Sequence, residues 1–294
     1  MNGAESLVQT LLDGGVDVCF TNPGTSEMHF CAALDRIDGM HCILCLFEGV
    51  VTGAADGYGR MLDRPAATLL HLGPGLGNGL ANLHNAKKAR TPIVNIVGEH
   101  ATYHIEYDAP LTADIEGIAH PVSDWVRTST DSARVASDAA CAIAASRASP
   151  GAVATLVLPA DTAWGSSNGA AKTVSPSTAT APDSSAVDEC ARALRSGEPA
   201  MLLLGGRALR SVPLETAGRI AAGTGAELRS ELMAARTERG SGRVSIERIP
   251  YPVDQAVGVL ENVRHLILVG TVSPVAFFAY PDKPSLLAPS DCQI

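Results

Sequence analysis

Positive charge is scarce in this 294-residue chain: 22 Lys and Arg stand against 31 Asp and Glu, a formal net charge of -9. A nucleic-acid partner is excluded on that ground, because displacing counterions from a phosphate backbone requires clustered basic side chains. No apolar run approaches the ~18 residues of a membrane span. The start Met1-Asn2-Gly3-Ala4-Glu5-Ser6 lacks the basic and then apolar stretch of a secretion signal. The sequence therefore reads as cytoplasmic, with no membrane partner. No Walker-type loop occurs, which leaves P-loop phosphate chemistry without an anchor. Seven cysteines, an odd number without framework spacing, read as reduced thiols acting as small core hydrophobes.

With 46% hydrophobic residues the chain has material for two medium cores. Leu7, Val8, Leu11 and Leu12 recur at helical spacing, Gly14-Gly15 stops them, and Val16 to Thr21 is a short β-prone run. The alternation continues with strands at Cys42 to Phe47, Ala66 to Leu72, Pro92 to Val97 and Ala152 to Leu158, a Gly-rich loop at Gly73 to Gly79, and an Ala-rich helix near Ser132 to Ala148. Continuous apolar strands alternating with helices predict a parallel sheet covered on both faces. Residues 169–185, rich in Gly, Ser, Ala, Thr and Pro, read as a linker. Beyond it, strands at Pro199 to Leu204, near Ala226, and at His265 to Val269 predict a second, smaller α/β domain. No closing helix follows, so that domain is expected to be incomplete. The class predicted is α/β, with two three-layer parallel-sheet domains over 1–168 and 186–294.

Five features bear on chemistry. Glu48 falls at the carboxyl end of a strand and the start of a helix, the edge at which open parallel sheets bind ligands. Among Phe47, Val50 and Val51 its carboxyl would lose solvation; the plain alternative is a helix-start acid that favours the dipole. The Gly73 to Gly79 segment invites a dinucleotide reading, but counting from Gly73 or Gly75 puts Asn78 or Leu80 where the third glycine belongs. Cys42 and Cys45, three apart on a strand, point to opposite faces and cannot converge. His100 and His104 lack a helical pattern to bring them onto a metal, whereas His71 ends a strand beside the glycines.

Asn22-Pro23-Gly24-Thr25-Ser26-Glu27, then Phe47-Glu48 with Ala54-Ala55-Asp56-Gly57-Tyr58-Gly59-Arg60, then His71-Leu72-Gly73-Pro74-Gly75 with Asn78, occur in a telling order and spacing. Together they resemble the N-terminal pyrimidine-binding domain of thiamine-diphosphate enzymes, nearest to acetolactate synthase large subunits and benzoylformate decarboxylase. The resemblance covers residues 1–165. Residues 186–290 resemble that family's central domain, which is cofactor-free or binds flavin, so FAD is an option there.

This resemblance implies thiamine diphosphate as cofactor and Glu48 as the carboxyl that hydrogen-bonds pyrimidine N1′ and activates it toward a 2-oxo acid. It implies that Pro23, Gly24, Thr25, Gly73, Pro74, Gly75 and Asn78 line the ring. His71 matches a proton-handling histidine of benzoylformate decarboxylase. Acetolactate synthases lack that histidine, while Gly73-Pro74-Gly75 is more like theirs, so the two comparisons disagree about decarboxylation against carboligation. The family holds the diphosphate through Mg2+ on a Gly-Asp-Gly motif, and none occurs here. The family builds its active site between two subunits, which implies a homo-oligomer, and the missing motif implies a separate diphosphate-binding chain as partner. The different-class alternative is a non-catalytic oligomerisation or regulatory module that retains the pyrimidine pocket.

Overall fold

The computed structural model describes residues 1–294, which form two compact units, Met1–Ala179 and Thr180–Ile294. In the first, the elements run α1 (Gly3–Asp13), β1 (Val18–Asn22), α2 (Met28–Arg36), β2 (His41–Leu44), α3 (Glu48–Leu62), β3 (Ala66–Leu70), α4 (Leu72–Ala89), β4 (Ile93–Glu99), α5 (Ile115–Ala119), β5 (Trp125–Thr128), α6 (Val135–Ser146), β6 (Val153–Pro159) and α7 (Ala160–Trp164). Helix α1 opens on a capping box in which Asn2 accepts from the Glu5 amide and Glu5 returns the bond.

All six strands are parallel, in the order β2-β1-β3-β4-β6-β5. Strands β3, β4 and β6 are buried throughout, which their apolar runs require. Alternate residues feed two cores. Cys19, Leu69, Ile96 and Leu156 pack with α1 and α6 on one face, and Phe20, Leu70, Val97 and Val157 pack with α3 and α4 on the other. A buried polar chain crosses the sheet: Thr68 Oγ1 donates to Asn95 Oδ1 at 2.7 Å, and Asn95 Nδ2 to Thr155 Oγ1 at 3.0 Å. Each member is satisfied, so the chain locks register without leaving a buried group unpaired.

Two expectations change. The Gly73 to Gly79 segment is not a loop but the first half of α4. Its glycines serve contact: a Cβ at Gly79 would lie 2.9 Å from Thr52 of α3, and one at Gly73 2.4 Å from Ala113. The turn itself falls at Leu72, a buried residue held at φ +52, a backbone that costs a non-glycine residue about 1–2 kcal/mol. The second change concerns cysteine. All seven thiols are free, but only Cys19 and Cys45 are buried and Cys42 is exposed, so most are not core hydrophobes.

The second unit comprises α8 (Ser184–Leu194), β7 (Ala200–Leu204), α9 (Ser211–Thr224), β8 (Glu227–Ser230), β9 (Glu247–Arg248), α10 (Val253–Leu260) and β10 (His265–Val269), with parallel strand order β10-β7-β8-β9. Its two apolar clusters lie on opposite faces of β7, Met201 and Leu203 on one and Leu202 and Leu204 on the other. No helix in either unit is long and apolar enough to cross a membrane.

Candidate active site

The carboxyl ends of β1 and β3 and the start of α3 meet at one place. Glu48 is the first residue of α3 and is 8% exposed. Its Oε2 accepts a 3.0 Å bond from Asn78 Nδ2, one helix away on α4. Its Oε1 has no protein partner and lies 3.1 Å from the position a Cβ would take on Gly75. The absence of a side chain at Gly75 therefore leaves room beside a carboxyl oxygen that the fold does not satisfy. Phe47 and Val50, expected to enclose this carboxyl, are 49% and 55% exposed. Of the three residues expected around it only Val51 is buried, and Gly75 and Asn78 of α4 lie against the carboxyl as well.

His71 precedes α4, and its Nδ1 lies 2.7 Å from Glu27 Oε2. The same oxygen accepts the Gly24 amide at 2.7 Å. A Cβ on Gly24 would fall 2.4 Å from the His71 ring, so the bare backbone of the β1 turn is the surface on which the imidazole rests. Glu27 is 2% exposed, and its Oε1 is sealed from solvent without a partner. Burial pushes its carboxyl above the ordinary carboxylate range, against the opposing pull of the Gly24 amide and His71.

Of the residues singled out in sequence, the fold gathers Glu48, His71, Gly75 and Asn78, with Gly24 on His71. Gly73 packs on Ala113, while Thr25 and Pro74 are exposed and Pro23 is part-exposed. Glu27 was missed. Its signal was the three-residue spacing from Gly24, which lets a glutamate reach back to the backbone of the turn. Asp56 and Arg60 do not belong to the site: Asp56 holds Arg60 through two 2.8 Å bonds and Thr91 through one of 2.7 Å.

His100 lies just past β4, its Nε2 buried without a partner. Burial foremost, then His104 and His71, hold its imidazole below the ordinary value. Its ring is 5.5 Å from that of His104, and no group of three or more His, Cys, Asp or Glu side chains converges as a metal site. The spacing Gly165-Ser166-Ser167-Asn168-Gly169 matches a hydrolase nucleophile turn, yet Ser167 bonds only the Ser6 hydroxyl and a backbone carbonyl and has no base beside it.

In the second unit the turn after β7 is occupied from within. Glu231 accepts from the Gly206 amide at 3.2 Å and from Thr271 Oγ1 at 2.8 Å, and a Cβ on Gly205 would meet its carboxyl at 2.7 Å. A dinucleotide phosphate at that turn would meet this carboxylate, so the residues present do not suit FAD there.

Chemically, the first-unit site offers an acidic group with one open oxygen, a neighbouring imidazole fixed by a buried carboxyl, and a backbone floor. Groups of these kinds, an acid and an imidazole, can pass protons to and from a bound molecule. Residues 1–122 match the family model of the thiamine pyrophosphate enzyme N-terminal TPP binding domain. All 294 residues align at 56% identity with a Mycobacterium tuberculosis protein named for the acetolactate synthase large subunit, IlvX, and cover 56% of it. Over 122 residues, 42% of this chain and 21% of the relative, identity to the acetolactate synthase large subunit of Buchnera aphidicola subsp. Acyrthosiphon pisum is 34%. The fold superposes on the thiamine diphosphate-dependent 4-hydroxybenzoylformate decarboxylase of Rhodococcus jostii with a TM-score of 0.86 at 20% identity, over 99% of this chain and 55% of that one. The chain thus spans about half the length of relatives it matches end to end.

Proposed function

We propose, for a chain that belongs to the thiamine-diphosphate-dependent enzymes, that it is the cofactor-activating part of a cytoplasmic 2-oxo acid decarboxylase or carboligase of the acetolactate synthase kind. The observation that carries this reading is Glu48: a buried carboxyl with Oε2 tied to Asn78 and Oε1 open above Gly75. Thiamine diphosphate, when bound, supplies the carbon nucleophile and electron sink that 2-oxo acid chemistry needs. Glu48 shares a proton with the pyrimidine ring nitrogen, and Gly24, Gly75 and Asn78 wall the ring.

His71 exchanges a proton with the substrate through Nε2, because Nδ1 is engaged by Glu27. The diphosphate and its Mg2+ are held by residues outside this sequence, since no Gly-Asp-Gly occurs in it. A second chain of different sequence completes the site. Support for that partner comes from Leu44, Leu46, Phe47 and Val50, which flank Glu48 and are 66%, 92%, 49% and 55% exposed.

Co-expression with a separate diphosphate-binding subunit and measurement of pyruvate consumption tests the reading. Turnover in the pair that vanishes on Glu48→Gln supports it. Tight thiamine diphosphate binding by calorimetry without turnover in any pairing would favour the regulatory module instead.

A further inference from the structure

A cavity lies away from the Glu48 site. It lies in the second unit beside the edge strand β9, with a volume of about 570 Å³, and four arginines line it: Arg229, Arg239, Arg243 and Arg248. In a chain with a net charge of -9 such a concentration of one sign is unexpected. Arg229 is the fixed member, pinned between Glu227 and Glu247 at 2.6 Å each and with its side chain 17% exposed. Arg243 is tethered by Glu238 at 3.0 Å and by Ser211 Oγ at 2.6 Å. A turn closed by the Arg243 amide on the Gly240 carbonyl, with Gly242 at φ +77, brings Arg239 and Arg243 to the same rim.

Arg239 and Arg248 have no carboxylate partner, and the one acid in the lining, Glu247, is taken by Arg229. The remaining wall is apolar, from Val244, Ile246 and Pro250. Guanidinium groups present a planar pair of donors that suits phosphate oxygens, and a concave low-dielectric wall concentrates their field. The volume is that of a small-molecule site.

We infer that this cavity binds an organic phosphate, with Arg239 and Arg248 on the phosphate and the Val244, Ile246 and Pro250 wall against its uncharged body. The inference is independent of the cofactor reading, since every residue involved belongs to the second unit.

Calorimetric titration of the full chain with ADP and, separately, with inorganic pyrophosphate in phosphate-free buffer provides the test. Saturable one-site binding of ADP, tighter than pyrophosphate, is expected. The double variant Arg239→Ala/Arg248→Ala should weaken it at least about tenfold. Arg64→Ala, an exposed arginine of the first unit, should leave it unchanged. Thermal unfolding without ligand should be the same in the double variant as in the parent protein, because neither Arg239 nor Arg248 holds a side-chain partner. Pyrophosphate binding as tightly as ADP would overturn the organic ligand, and binding that is absent or unaffected by the double variant would overturn the site.

Discussion

Glu27 Oε2 lies 2.7 Å from His71 Nδ1 and 2.7 Å from the Gly24 amide, while Oε1 of the same carboxyl is buried with nothing to bond. This is a half-satisfied buried acid, and such groups persist where function needs them. Its carboxyl titrates above the ordinary value of 4.5 because burial penalises the charge. The folded state therefore keeps the proton longer than the unfolded chain does. Glu27 thus adds stability that is fully present below about pH 4.5 and is lost as pH rises through its folded value, with a slope of at most about 1.4 kcal/mol per pH unit. Glu27→Gln should flatten that fall. Both tryptophans, Trp125 and Trp164, lie in the first unit, so urea unfolding followed by tryptophan fluorescence reads it directly. Identical pH slopes for the two proteins would contradict the account.

Glu48 and Asn78 should separate on substitution. Glu48→Gln keeps the shape and the Asn78 contact but removes the acid, and in a turnover-competent assembly it should lower kcat by about 100-fold or more. Asn78→Ala removes only the bond to Oε2 and leaves the acid, so a loss of about tenfold is expected. Equal losses would mean that the carboxyl is there to hold α3 against α4.

Gly75→Ala sets two effects against each other. Alanine favours a helix interior over glycine by about 1 kcal/mol, yet the new Cβ would stand 3.1 Å from Glu48 Oε1 and 3.4 Å from His71 Cβ. Unfolding by urea should show unchanged or slightly raised stability, and titration calorimetry should show thiamine diphosphate binding lost. Retained binding would show that the space above Gly75 is not the ring's.

Asp56 is expected to matter for the fold alone. Asp56→Ala breaks two bonds to Arg60 and one to Thr91 beneath α3, and should cost about 2–4 kcal/mol in the tryptophan-monitored transition. Cofactor affinity, measured well below the new midpoint, should stay within about twofold.

The alternation of helix and strand was legible because β3, β4 and β6 are unbroken apolar runs, and only a sheet covered on both faces accommodates them. Two strands were not legible. The edge strand β5, Trp125-Val-Arg-Thr128, is part-exposed at every position, and β9 is a two-residue pair of charges. Glycine misled at α4: Gly73, Gly75 and Gly79 imitate a loop in sequence, whereas in the fold each makes room for a neighbour, Ala113, Glu48 or Thr52. Glu48 could be named from its place between strand and helix, and Asn78 through the family resemblance. That they share a hydrogen bond could not, since 30 residues separate them. Glu27 stayed hidden for the same reason, its partner His71 being 44 residues away.

A crystal structure of the protein together with its diphosphate-binding chain, thiamine diphosphate and Mg2+ tests the central claim most directly. The account predicts the Glu48 carboxyl within about 2.6–3.2 Å of the aminopyrimidine N1′, with the ring over Gly75. A ring seated elsewhere, or Glu48 turned into solvent with the ring in place, would contradict it.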